Sequence, residues 1–534
     1  MLVIAHSMED PRSPFNEAVG DLTPDRFRRW LLVIVAVHLL TRLPFLGLVT
    51  LWNIDEGRIA EVSREMAITG DFVTPRIGGE PFASYPPFLY WLMAASGGLL
   101  GFNEFSMRLP GALAGAALVA VVALMGRRLA GGRAGLASAV VLATLPAFTS
   151  QEVICRGDVM MTLFSAIAFD RFLAFMEGDR RTLHAVAMYA ALALAVLTKG
   201  PLGAILPGFG VLVWATLRGR WRDLFAVRLW AGLPVMLAAV LPWYVAVTFA
   251  AGAEFTRYNL MLENVNAFTS GFEHPKPPWA LAGWASYRLI PWLLVLPLAW
   301  KVRRTPGLSI ALGWTAAIFV LLTISSSKRS NYLTFLCPAF ALSVGIALEA
   351  LLREAPARGR RVPILIGVLV AAAGLAGMFL PLPWKGSFLL IQDLIRPVSL
   401  GLIATGGVVL AVTRWKGATA GAVALAAALA AGVPLQSAFV EPRLDEEGRR
   451  GVAFCREINA LLPPGETVFI PSRRELEGSF HFYLGRIVTH RSDGAGFYLG
   501  VEGDERRFPP GKTRRLAEFV DERGRSRAFF EVRP

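Results

Sequence analysis

Apolar runs of 16 to 22 residues recur along the first 436 positions, and each is long enough to cross the roughly 30 Å hydrocarbon slab as a helix. They fall near 30–49, 108–126, 134–150, 159–176, 183–198, 201–217, 229–250 and 284–300. Five more follow near 307–324, 331–352, 362–380, 397–413 and 418–436, about thirteen spans in all. The first run has a polar tail before it and no small-residue cleavage site behind it, so it reads as a span and not a cleaved leader.

Between the first and second runs, Ile59, Val62 and Met66 recur at helical spacing, with Arg58, Glu61 and Glu65 on another face. That pattern predicts an amphipathic helix lying along the membrane surface. The run from Phe88 to Leu100 is short for a crossing and reads as a second interfacial helix. After 440 the pattern changes. Helix-like stretches at 446–461, 475–485 and 513–523 alternate with strand-like ones at 467–471, 486–490 and 527–532, which predicts a small α/β domain.

Charge orders these elements. The net charge of +14 suggests nucleic acid until it is located, but the residues after 440 carry 17 Lys and Arg against 16 Asp and Glu. The excess lies in gaps between apolar runs: Arg127, Arg128 and Arg133; Arg180 and Arg181; Arg218 to Arg228; Lys301 to Arg304; Arg353 to Arg361; Arg414 and Lys416. Every second gap is basic, as the positive-inside rule requires, so no nucleic-acid partner is needed. Thirteen crossings then predict a cytoplasmic tail over 1–29 and a membrane domain over 30–439, with outer loops 50–107 and 251–283 and an outer α/β domain over 440–534. Cys155, Cys337 and Cys455 lie far apart, so neither a disulfide framework nor a cysteine metal site is expected.

The chemistry-bearing residues sit at the outer rim. Asp55 follows the first span and Asp158 opens the fourth; each is a favoured helix cap, and each has an Arg within three positions (Arg58 and Arg156). Two such acids at one membrane face point to a shared pocket. The outer gap Ser325-Ser326-Ser327-Lys328-Arg329-Ser330 carries two cations against the sign rule, followed by Asn331 and Tyr332. Lys and Arg there suit a lipid phosphate, one as a point charge and one through its planar fork. His274, beside Glu273 and Lys276 in the large outer loop, is too few donors for a metal centre.

These residues also carry a resemblance. DEGR, REM, GDFVTPR and PPFLYW between Asp55 and Trp91 resemble the first outer loop of the lipid-phosphate-dependent GT-C glycosyltransferases. That family holds the bacterial aminoarabinose–lipid A transferases and is related to the protein O-mannosyltransferases. CRGDVMMTLF, LTKGP, ENVNAF with EHPKPP, and SSKRSNYLTFLCPAFAL continue it in the family's order.

The resemblance implies a sugar donor on a polyprenyl phosphate, usually undecaprenyl phosphate, and transfer at the periplasmic face of the inner membrane to lipid A, another envelope glycan or a protein. It implies Asp55 as the principal catalytic carboxylate and Asp158 as a second acid. Arg58, Lys328, Arg329 and Tyr332 would serve the phosphate. Where the aminoarabinose transferases read Glu-Lys-Pro-Pro, the Glu assigned to metal and the Lys to phosphate, this chain reads Ser84-Tyr85-Pro86-Pro87. His274 matches the second ligand of a Zn²⁺ site whose partner position is Ser84, a poor ligand, and Tyr85 brings no charge. A related glycosyl transfer is therefore expected, without aminoarabinose specificity. The rivals are a polyprenyl-phosphate-sugar flippase and a non-catalytic lipid-binding homologue. A transporter would place ionisable groups at mid-membrane between two repeats, whereas these acids cluster at one rim.

Overall fold

The computed structural model describes residues 21–52, 54–177, 182–270, 274–354, 360–379, 394–463, 466–471, 478–501, 503–521 and 526–533. Helix occupies each of the thirteen stretches expected to span. Among the described residues, seven helices are long and apolar enough to cross a membrane, or eight if the pair Ala280–Arg288 and Trp292–Val302, bent by 95°, is one broken span. The outer gap expected at 381–396 falls largely outside the described residues.

Small residues bring the central helices together, as they must where lipid removes the hydrophobic drive between helices. A Cβ on Gly135 would overlap the backbone of Ala123 and Arg127, and one on Gly345 would overlap Ser138. The Glu104–Ala130, Gly132–Ala143, Asp158–Glu177 and Leu333–Glu354 helices thus form the interior. The hydrophobic windows of Asp158–Met176 and Ser330–Arg353 are 89% buried, against 11% for Ala418–Leu444, which faces lipid. Caps fix the junctions. Asn103 and Ser106 make a reciprocal capping box at the start of the Glu104–Ala130 helix. The Asp21 carboxylate accepts from the Gly132 and Arg133 N–H groups at 2.7 and 3.2 Å.

The Ile54–Thr69 helix departs from expectation. It was expected on the membrane surface with its charged face in water, yet Glu61, Ser63, Arg64 and Glu65 are as buried as Ile59 and Val62. The C-terminal domain covers that face. Glu61 takes Arg64 in a two-pronged pair at 2.7 and 2.8 Å, and Glu65 accepts from Gly78 and Gly79 N–H at 2.8 Å each. Those glycines form the two-residue turn between strands β1 (Arg76–Ile77) and β2 (Glu80–Pro81), which needs positive φ at both positions. The Phe88–Leu100 helix packs beside this unit, its Tyr90 and Met93 fully buried.

The C-terminal domain is a five-stranded mixed sheet with helices Glu446–Leu461 and Gly478–Leu484. Its strands are β3 (Val468–Ile470), β4 (Thr489–His490), β5 (Gly496–Val501), β6 (Thr513–Val520) and β7 (Ser526–Val532), in the order β4-β3-β5-β7-β6. Of the stretch 513–523, expected as helix, Thr513–Val520 is strand β6, paired antiparallel with β7. A bulge between Arg515 and Ala517 breaks the alternation that marks a strand, and Arg515 finds Glu505 and Glu518 across the exposed face. Strand β5 lies outside the strand-like stretches expected from the sequence.

Candidate active site

Asp55 stands in the first turn of the Ile54–Thr69 helix and Asp158 in the first turn of Asp158–Glu177. Arg156 pairs directly with Asp55, and the Arg329 guanidinium lies 3.2 Å from the same oxygen. Burial alone would raise the Asp55 carboxyl, but Arg156, Arg329, Arg58 and Lys199 outweigh it and hold the group below its ordinary value. Asp158 is almost completely buried, paired with Lys199 and accepting from Asn331 Nδ2 at 3.2 Å. The Lys199 ammonium lies 5.4 Å from the Tyr85 ring centroid and 5.5 Å from that of Phe335, on which Tyr332 stacks. Burial pushes the half-buried Tyr85 phenol up to about 12, so it stays neutral beside that cation.

Several expected residues therefore meet: Asp55, Asp158, Tyr85, Arg329 and Tyr332 surround one cluster of cations. Arg58 acts on Asp55 by charge from one turn along the helix. Lys328 is used differently. Its buried ammonium donates to the Ser325 and Lys276 carbonyls, and its N–H donates to His274 O at 3.0 Å, pinning 274–276 against 326–328. These contacts hold the loop together. Among the described residues no three His, Cys, Asp or Glu side chains converge, and Glu273 lies outside them. The Ser84 carbonyl accepts from Asn259 at 3.3 Å. With serine in place of a carboxylate, His274 and Ser84 do not fit a Zn²⁺ centre.

Sequence reading missed Arg156 as the partner of Asp55, and it missed Lys199 altogether. Lys199 lies in a gap that the charge alternation makes outer, so the sign-rule argument applied to Lys328 would have found it. It also missed the support beneath. Arg108 binds Glu56 through two nitrogens at 3.1 Å and donates to the carbonyls of Leu46, Val49 and Thr50. Glu56 in turn accepts from Cys155 N–H at 2.9 Å, which sets the loop carrying Arg156 beside Asp55. Deeper, Glu152 is fully buried between His38 at 2.8 Å and Arg42 at 2.7 Å. These pairs span large sequence separations and leave no local pattern.

Known proteins resemble this chain in sequence and fold. Residues 84–245 match the dolichyl-phosphate-mannose-protein mannosyltransferase family. An undecaprenyl phosphate-alpha-4-amino-4-deoxy-L-arabinose arabinosyl transferase of Pseudomonas aeruginosa is 30% identical over 373 residues, 67% of either chain. The chain belongs to this transferase family. Its counterpart from Edwardsiella ictaluri is also 30% identical over 373 residues, and the match spans 66% of that relative's length. Crystalline ArnT from Cupriavidus metallidurans bound to undecaprenyl phosphate superposes with a TM-score of 0.80 at 22% identity, covering 94% of this chain and 98% of that one. An Archaeoglobus fulgidus oligosaccharyltransferase shares the fold at a TM-score of 0.51 and 14% identity, covering 87% of this chain and 64% of its own. The chain thus has the GT-C architecture, a polytopic helical domain followed by a small mixed-sheet domain, and superposes on ArnT over nearly its whole length.

Proposed function

We propose that this chain transfers a sugar from a polyprenyl phosphate, undecaprenyl phosphate in a bacterium, to lipid A or another envelope acceptor at the periplasmic face of the inner membrane. The observation that carries the reading is the pairing of a half-open carboxylate, Asp55, with cations that have no apolar task at a membrane rim. Arg156, Arg329 and Lys199 suit the departing lipid phosphate. The acceptor oxygen bonds to the anomeric carbon as the bond from that carbon to the phosphate oxygen breaks, and the phosphate leaves on its lipid. Asp55, too acidic to be a strong base, orients the acceptor hydroxyl and takes its proton late. Mass spectrometry of envelope lipids with and without the gene tests this: loss of one glycosylated species supports it, and an unchanged profile contradicts it.

In this reading the N-terminus is cytoplasmic and residues 440–534 are periplasmic. Reporters fused after Ser327 and after Val440 should report periplasmic, and one fused after Arg360 cytoplasmic. A cytoplasmic signal after Val440 would mean an even number of spans, with Phe88–Leu100 the segment to promote to a crossing.

Tyr85 sets the donor pocket apart from its relatives. Lys199 already lies over its ring, so Tyr85→Lys would put two cations side by side. The free protein should lose stability, while undecaprenyl phosphate affinity should rise at low salt and fall back at high salt. Tyr85→Phe should change little, since the ring remains. A large affinity loss in Tyr85→Lys at both salt concentrations would instead mark Tyr85 as a stacking surface for the sugar.

A further inference from the structure

We propose that the C-terminal domain is a clamp that positions Asp55, so that it contributes to turnover without touching substrate. The inference rests on the catalytic assignment of Asp55 above. Residues 50–52 and 57–58 bracket the carboxylate, and both ends are held by the tail. The Asp445 carboxylate accepts from Thr50 N–H at 2.8 Å and from its hydroxyl at 2.7 Å. The Tyr483 hydroxyl accepts from Leu51 N–H at 2.6 Å and donates to Glu104 at 2.9 Å, while Ser479 Oγ donates to Leu51 O at 3.0 Å.

Trp52 then leaves the membrane domain altogether. Its indole enters the tail's core, edge-on to Phe480 and Phe519 at 5.0 and 5.7 Å, over a floor where Gly451 has no Cβ to obstruct it. On the far side of Asp55, Gly57 meets Gly478 and Ser479 so closely that a methyl on either glycine would overlap the opposing backbone. Arg108 grips the carbonyls of 46, 49 and 50 from the membrane side. The helix start bearing Asp55, with the residues before it, is thus caught between the membrane domain and the tail. Arg156, Arg329 and Lys199, the cations suited to the phosphate, lie outside this seam, so a loosened clamp should disturb the alignment of Asp55 and leave phosphate binding by those three intact. Misplacing a reacting group by about 1 Å can cost on the order of a hundredfold in rate.

The test compares the double variant Tyr483→Phe/Ser479→Ala, and separately Gly478→Ala, with the control Tyr498→Phe. Tyr498 is equally part of the tail, and its hydroxyl donates to the Asp493 and Gly494 carbonyls at 2.7 and 3.0 Å, away from Asp55. Full-length proteins in nanodiscs are read by amide hydrogen exchange over 48–58, by undecaprenyl phosphate binding, and by kcat with the donor the wild type uses. The clamp predicts exchange at 48–58 faster by about tenfold or more in the seam variants, with β6 and β7 still protected. It also predicts kcat down by about tenfold or more with undecaprenyl phosphate affinity within about threefold, and neither change in Tyr498→Phe. Unchanged exchange at 48–58, or equal losses of kcat in the control, overturns the proposal. A wild type with no transfer on any donor would refute the proposed function, while the exchange data would still decide whether the tail fixes this loop.

Discussion

Asp55→Asn is expected to lower kcat by at least about a hundredfold while the protein remains folded. The amide keeps the volume but cannot take a proton, and it leaves Arg156 and Arg329 facing each other without the charge that reconciles them. Because the site is partly open to water, the folding penalty is modest. The pH dependence has a definite sign. The folded-state value of Asp55 is depressed, so its stabilising contribution is present at neutral pH and is lost only as the pH falls through that lowered value. Wild-type activity should therefore show no acid limb from this group above about pH 4. An Asp55→Asn protein with near wild-type turnover would remove Asp55 from the mechanism.

The second large effect is at Lys199. Lys199→Met strips the cation from Asp158, whose side chain is 1% exposed, and an uncompensated buried carboxylate costs about 3–5 kcal/mol. Adding Asp158→Asn should recover most of that stability, because the pair is then neutral on both sides. The double variant should still bind undecaprenyl phosphate about tenfold or more weakly, since a charge-assisted hydrogen bond to phosphate is worth about 1.5–3 kcal/mol. Thermal unfolding and lipid-phosphate titration separate the two roles. If the double variant binds as tightly as wild type, Lys199 is a structural partner of Asp158 and nothing more.

The spans were legible because apolar length and charge alternation are written locally, residue by residue. Asp55, Asp158, Tyr85 and Arg329 were legible because charged or altered residues at a membrane rim need a reason. What failed depends on contacts distant in sequence. The face of Glu61, Arg64 and Glu65 looks water-facing until a domain some 400 residues later covers it. Lys328 satisfies backbone carbonyls that no pattern advertises. Strand β6 hides its period behind one bulged residue. Glu56 and Arg108, 52 positions apart, set the loop of Arg156 against Asp55 through one backbone hydrogen bond at Cys155.

The most direct measurement reconstitutes the full-length protein in liposomes with lipid A. The donors are undecaprenyl phosphate carrying 4-amino-4-deoxy-L-arabinose and, in parallel, undecaprenyl phosphate carrying a hexose. Products are weighed by mass spectrometry, with Asp55→Asn as the inactive control. The account predicts that lipid A gains the mass of one sugar with one of these donors, that undecaprenyl phosphate is released in equal amount, and that the control does neither. Donor that crosses the bilayer intact, or that stays bound without any loss of its sugar, would contradict it.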